Sequence, residues 1–192
     1  MNCNCILAGV GGQGVLSIAA IIARAAAEAG FSVRQGEVHG MAQRGGAVLA
    51  HLRLSDGTIH SDLVPQGAAH LIISMEILES LRYARWLSPQ GALVTAAESL
   101  VNIGNYPDPA ALRAAAAAFP RSRVVEAAAL AKEAGLPRAV NTVMVGAASP
   151  FLPVPPETLE STIAGLFAAR DPALGEANLR AFRLGRKAAA CQ

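Results

Sequence analysis

The sequence predicts an α/β fold, a three-layer Rossmann-like arrangement with a mostly parallel sheet, an inserted β-hairpin and a helical C-terminal extension. Three observations carry this. An apolar run, Cys5-Ile6-Leu7-Ala8, enters the glycine turn Gly9-Val-Gly-Gly-Gln-Gly14 and is followed by a long apolar helical pattern. Short apolar runs then alternate with helical stretches through the first two-thirds of the chain, the order expected when helices cover a parallel sheet. The last third, after the Pro-rich turn 150–156, is helical throughout. The expected organisation is a single domain over 1–192, with 150–192 as the helical extension.

Residues 3–8 read as a central first strand. A helix follows from about Gln13 to Ala29; Ser17, Arg24 and Glu28 form its polar stripe and Gly30 its stop. Phe31 to Val38 is a second strand, and 39–46 a second glycine-bearing loop. From Ala47 to Ser55 apolar and polar residues alternate, with Val48, Ala50, Leu52 and Leu54 on one face and His51, Arg53 and Ser55 on the other. Asp56-Gly57 is a two-residue hairpin signal, so Thr58 to Val64 is expected to return as the partner strand. Strands at 69–74, 91–96 and 123–126 alternate with helices at about 76–86, 109–119 and 127–134. Helices at 141–148, 157–168 and 173–190 complete the pattern.

Composition narrows the function. The chain is 53% hydrophobic and 16% charged, which points to buried helices or broad partner contacts. A net charge of +2 gives no electrostatic case for nucleic acid. The N-terminus lacks a basic stretch followed by an apolar core, and the helix at 15–29 falls short of a membrane span, so a soluble cytoplasmic protein is expected. The three cysteines give no disulfide framework. Cys3 and Cys5 share one strand face and read as small buried hydrophobes. His51 and His60, placed across the expected hairpin, lack a third ligand, and no metal site is expected. No Gly-x-Ser-x-Gly elbow offers a hydrolase nucleophile. Arg180, Arg183, Arg186 and Lys187 on the last helix read as a solvated face or as a contact for an acidic partner.

Chemistry concentrates in the two glycine loops. Gly9-x-Gly11-x-x-Gly14 fits a dinucleotide fingerprint, since glycine admits a tight turn and the helix amides behind it favour an anion. The cofactor-binding candidates here are Gly9, Gly11, Gly12, Gln13 and Gly14. The acidic residue expected about 20 positions on for a ribose diol is poorly met, because Glu37 lies late and Arg34 suits a phosphate better. In the second loop Met41, Gln43 and Arg44 are further binding candidates. His39 and Arg44 are the candidates for catalysis: a guanidinium clamps phosphate or carboxylate, and an imidazole moves a proton.

The two loops together, Gly9-Val-Gly-Gly-Gln-Gly-Val15 and Glu37-Val-His-Gly-Met-Ala-Gln-Arg-Gly-Gly46, resemble the gamma-type domain of 2-oxoacid:ferredoxin oxidoreductases. The resemblance is greatest to the indolepyruvate branch, whose small beta subunit is this domain alone. Glu76 to Tyr83 and Asn141-Thr142 share it, and it covers about the first 150 residues. It implies a non-autonomous subunit that completes the active site of a large partner. That partner would carry thiamine diphosphate and the iron–sulfur clusters, since this chain has neither a Gly-Asp-Gly…Asn signature nor a cysteine cluster. The complex would decarboxylate an aryl 2-oxoacid, reduce ferredoxin and form an acyl-coenzyme A. Loop 9–14 would receive a phosphate of coenzyme A, and loop 39–46 would reach toward the inter-subunit site. A freestanding nucleotide-binding or regulatory module, a scaffold subunit, and the gamma subunit of a pyruvate, 2-oxoglutarate or 2-oxoisovalerate enzyme stay open as alternatives.

Overall fold

The computed structural model of the chain describes residues 1–39 and 45–190, with His39 described in its backbone only. The elements run β1 (Asn2–Val10), α1 (Val15–Glu28), β2 (Ser32–His39), β3 (Ala47–Ser55), β4 (Ala69–Ser74) and α2 (Ile77–Arg82). They continue with β5 (Leu87–Ala96), α3 (Pro109–Ala117), β6 (Ser122–Val125), α4 (Ala127–Glu133), α5 (Val140–Ala148), α6 (Pro156–Ala168) and α7 (Pro172–Ala190). The strands form one sheet in the order β2-β3-β1-β4-β5-β6. The pairs β1–β4, β4–β5 and β5–β6 are parallel; β3 runs antiparallel to both its neighbours. The Rossmann-like α/β class read from the sequence is the fold observed.

Alternation along the strands sorts the core into two faces. Cys3, Cys5 and Leu7 of β1, Leu71 and Ile73 of β4, and Val94 of β5 pack with α1, α4, α5, α6 and α7. Ile6, Ile72 and Leu93, one residue out of phase, pack with α2 and α3. The period of two makes β1 and β4 nearly continuous apolar runs, since both faces are covered.

The hairpin lies elsewhere than expected. β3 pairs with β2 on one edge and β1 on the other, so no edge remains for a strand returning from Asp56-Gly57. A type I′ turn needs positive φ at both central residues. Neither Asp56 nor Gly57 has it. The Asp56 carboxylate instead pairs with the N-terminal ammonium, and Ser55 Oγ accepts from Gly57 N at 2.9 Å. Residues 58–64 cross the sheet face without forming a strand, burying Ile59 and Val64. They also cover His51, expected on a solvated face: it is 4% exposed, its Nδ1 accepts from Val64 N at 3.1 Å, and burial pushes its pKa down.

The C-terminal helices dock onto the face behind α1. Gly146 of α5 and Gly185 of α7 let the two backbones touch: a Cβ on either would lie 2.0 Å from a carbonyl oxygen, that of Phe182 or Val143. The arginines of α7 contribute to this docking. Arg183 forks onto Glu160 of α6 at 3.0 and 2.5 Å, Arg186 donates to Ser149 Oγ at 2.8 Å, and Arg180 to the Ala134 carbonyl at 3.2 Å. Thr162 of α6 donates to Glu28 at the end of α1. Cys3 and Cys5 are buried as expected, their sulfurs 3.6 Å apart; the hydrogen bond to Cys3 and full burial push the Cys5 thiol up. Among the described residues no helix is long and apolar enough to cross a membrane, and no group of three metal-ligating side chains occurs.

Candidate functional site: the carboxyl edge of the sheet

The turn after β1 is built to leave donors free. Gly9 is a close-approach position, where a Cβ would meet Val15 Cγ2 at 2.8 Å, Gln13 Oε1 at 3.0 Å and Met75 Cβ at 3.1 Å. Gly12 and Gly14 adopt φ of +100° and +81°, in the left-handed region that glycine favours. Gln13 braces the turn: its Oε1 accepts from Val10 N at 2.7 Å and its Nε2 donates to the Met75 carbonyl at 3.3 Å. Gly11 N donates to the Gly46 carbonyl at 2.8 Å, which joins the base of the second loop to the first. The amides of Gly12, Gly14, Val15 and Leu16 donate to no protein acceptor among the described residues. Gly14 caps α1 without a side-chain hydrogen bond and no acidic residue stands in the first turn. Four such N–H groups at the positive end of a 14-residue helix are a donor set of the kind that suits an anion.

A cleft of ≈ 490 Å³ opens beside this turn, lined by Gly12, Gln13, Gly14, Met75, Glu98 and the residues that lead into α5. Of the predicted site residues, Gly9, Gly11, Gly12, Gln13 and Gly14 are brought together here. His39 ends β2 at the same sheet edge, while Met41, Gln43 and Arg44 lie outside the described residues. The doubtful fit to a nicotinamide nucleotide gains a structural reason. β3 stands between β1 and β2, so Glu37 is a strand further away than an acidic residue ending a neighbouring β2 would be.

The sequence reading missed a second cluster on the other face of the same edge. Glu76 follows β4, is 1% exposed, and caps α2: its Oε2 accepts from Glu79 N at 2.8 Å. Its Oε1 accepts from Leu100 N at 3.2 Å and from the Tyr106 hydroxyl. Burial, then the bond to Glu76, pushes the Tyr106 pKa up to about 12. Burial raises Glu79 against the pull of Arg82, whose Nε lies 3.2 Å from Glu79 Oε1. Glu76 thus holds both ends of segment 100–106, whose Asn102 donates to the Gly45 carbonyl at 2.8 Å. Ser, Thr, Asp and Asn are the residues that mark a helix start in sequence, so a glutamate in that place gave no local signal of this cluster.

Comparison with known proteins decides the family. A profile described as pyruvate ferredoxin/flavodoxin oxidoreductase matches residues 4–188. The chain belongs to that family. It is 36% identical over 203 residues to the indolepyruvate oxidoreductase subunit IorB of Thermococcus kodakarensis, covering 97% of this chain and 95% of that one. Two solved structures share the fold. The keto/oxoacid ferredoxin oxidoreductase gamma subunit of Geobacter sulfurreducens superposes with a TM-score of 0.74 at 22% identity, over 100% of this chain and 98% of that one. The 2-oxoglutarate:ferredoxin oxidoreductase of Magnetococcus marinus, solved with 2-oxoglutarate, coenzyme A and succinyl-CoA bound, gives a TM-score of 0.78 at 21% identity. There the match covers 100% of this chain but 31% of that one, so the chain spans about a third of that protein. Within the family the chain is an oxidoreductase subunit of the gamma type, as the resemblance of its two glycine loops implied.

Proposed function

We propose that this subunit belongs to an indolepyruvate:ferredoxin oxidoreductase and gives the complex its coenzyme A site. The turn 9–14 takes a phosphate of the co-substrate, and the second loop reaches toward an active site completed by a large subunit. That partner would hold thiamine diphosphate and iron–sulfur clusters and pass electrons to ferredoxin. The observation that carries the reading is the set of free amides at Gly12, Gly14, Val15 and Leu16, which suits a phosphate and meets no protein acceptor among the described residues. The names of the relatives support the substrate class, and the coenzyme A in the Magnetococcus protein supports the ligand. A partner surface is supported by the exposed Leu100, Val101 and Ile103, which border the second loop through Asn102, and by Val38 at the end of β2.

In this scheme the large subunit's thiamine diphosphate supplies the decarboxylation chemistry. The residues of this chain bind and orient: the amides hold phosphate, Gln13 keeps the turn rigid, and His39 and Arg44 are the candidates beside the reacting groups.

The test is reconstitution. The purified chain, its large partner and their mixture are assayed for indolepyruvate-dependent reduction of an electron acceptor in the presence of coenzyme A. Activity is expected only in the mixture, and Gly12→Val, which puts a side chain into the cleft at a positive φ, is expected to raise the KM for coenzyme A about tenfold or more. Turnover by the chain alone, or full activity of the partner without it, would overturn the reading. Tight binding of NAD with none of coenzyme A would favour a freestanding nucleotide module.

A further inference from the structure

The cleft beside the glycine turn carries chemistry that the turn itself does not explain. Arg138, in the tight turn before α5, lines the cleft and is exposed. It forms no ion pair or hydrogen bond among the described residues. Most other arginines in the chain are engaged: Arg24, Arg34, Arg53, Arg82, Arg113, Arg121, Arg123, Arg180, Arg183 and Arg186 all have partners. Asn141 lies beside it at the start of α5. Its Oδ1 accepts from Thr142 N at 3.0 Å, while its Nδ2 would be 3.7 Å from a Cβ on Gly14 and donates to no protein acceptor among the described residues. The N-terminus of α5, capped at Ala139 without a side-chain bond, opens into the same cleft as that of α1.

Glu98 lines the same cleft: its Oε1 accepts from Ala128 N at 2.6 Å, and its Oε2 is buried without a hydrogen-bond partner among the described residues. Donors from two elements therefore meet at one cleft: the free amides of the glycine turn, and Arg138 with Asn141 Nδ2 at the start of α5. One unpaired guanidinium and one spare amide donor that share a cleft with the free turn amides have the composition of an anion clamp built from two elements.

We propose that Arg138, supported by Asn141, is the residue that reads the phosphate charge of the ligand. The turn 9–14 supplies neutral donors and shape; Arg138 supplies the full positive charge that distinguishes a phosphorylated ligand from its unphosphorylated counterpart. This rests on the coenzyme A reading above and adds to it a specificity residue on a second element.

The experiment uses calorimetry on the full chain in complex with its large partner, with coenzyme A and with pantetheine, the same thiol arm without phosphates. Arg138→Ala is expected to weaken coenzyme A about 10- to 100-fold, the loss typical of a charge-assisted hydrogen bond, and to leave pantetheine within about twofold. Arg138→Lys is expected to recover part of the loss, because it keeps the charge and loses the fork. The KM for coenzyme A should rise with kcat within about twofold. The salt dependence of binding should flatten in the alanine variant. Arg138 is exposed and unbonded, so an unchanged melting temperature confirms that the variant folds. If Arg138→Ala leaves coenzyme A within twofold while Gly12→Val abolishes its binding, the clamp is overturned and the phosphate site stands. If both variants bind coenzyme A as the wild type does, the phosphate site falls as well.

Discussion

Two helices start at the same edge of the sheet, α1 after β1 and α2 after β4, and their N-termini are finished in opposite ways. α2 is closed by its own residue: Glu76 caps it and spends its other oxygen on Leu100 and Tyr106. α1 begins at Gly14, with no side chain to cap it and four amides left without a protein acceptor among the described residues. Free donors at a helix start are met by water or by a ligand, and Gly12 and Leu16 are exposed to either. The closed end is a brace and the open end is the candidate site. They are mechanically joined, because Glu76 holds segment 100–106, Asn102 holds Gly45, and Gly46 holds Gly11.

The largest effect that would test this contrast comes from Glu76→Ala. It strips the partner from the Glu79 amide, the Leu100 amide and the Tyr106 hydroxyl at once. A loss of about 3 kcal/mol is expected in urea denaturation, since each unsatisfied buried donor costs about 1–3 kcal/mol. A loss under about 1 kcal/mol would mean the corner is not the brace described. Next in size, Gly9→Ala forces a Cβ against Val15, Gln13 and Met75, and overpacking of this kind costs about 1–3 kcal/mol. Coenzyme A affinity should fall with it, because Gln13 and the turn must move; a stable Gly9→Ala protein with normal affinity would show that the turn has slack.

The smallest effect is electrostatic. Burial raises the pKa of Glu79 above the ordinary carboxylate value, so the folded state binds its proton more tightly than the unfolded one. Its favourable contribution is complete below the unfolded pKa and is lost as pH rises through the folded one. Glu79→Gln should therefore gain on the wild type as pH rises from about 4, the ordinary glutamate value, through the raised folded one. Parallel urea midpoints that show no such divergence would assign the buried carboxylate no penalty.

The sequence went far with elements and less far with their neighbours. Strand β4 and the helices from α3 to α7 match the expected order because apolar period and Pro or Gly stops are local properties. Cys3 and Cys5 were placed by spacing alone. The Asp56-Gly57 hairpin failed because its signal is also local, while strand pairing is a competition for edges: β2 and β1 already fill both edges of β3. His51 failed with it, since the face given to solvent lies under residues 58–64. At the site, Gly9 to Gly14 were legible because the turn is local: Gly9 answers a close approach, and Gly12 and Gly14 a positive φ. Glu76 was not, because a buried glutamate looks in sequence like a solvated one until its three donors are known.

By itself, then, the sequence determined the order of elements, the α/β class, the glycine turn and the family, each carried by residues close together in the chain. Only the tertiary structure decided that the hairpin is β2–β3, that Arg138 and Asn141 share a cleft with the turn from more than 120 residues away, and that Glu76 ties segment 100–106 to both loops. Such contacts depend on which edges and faces remain open once the core has formed, and no local pattern encodes that.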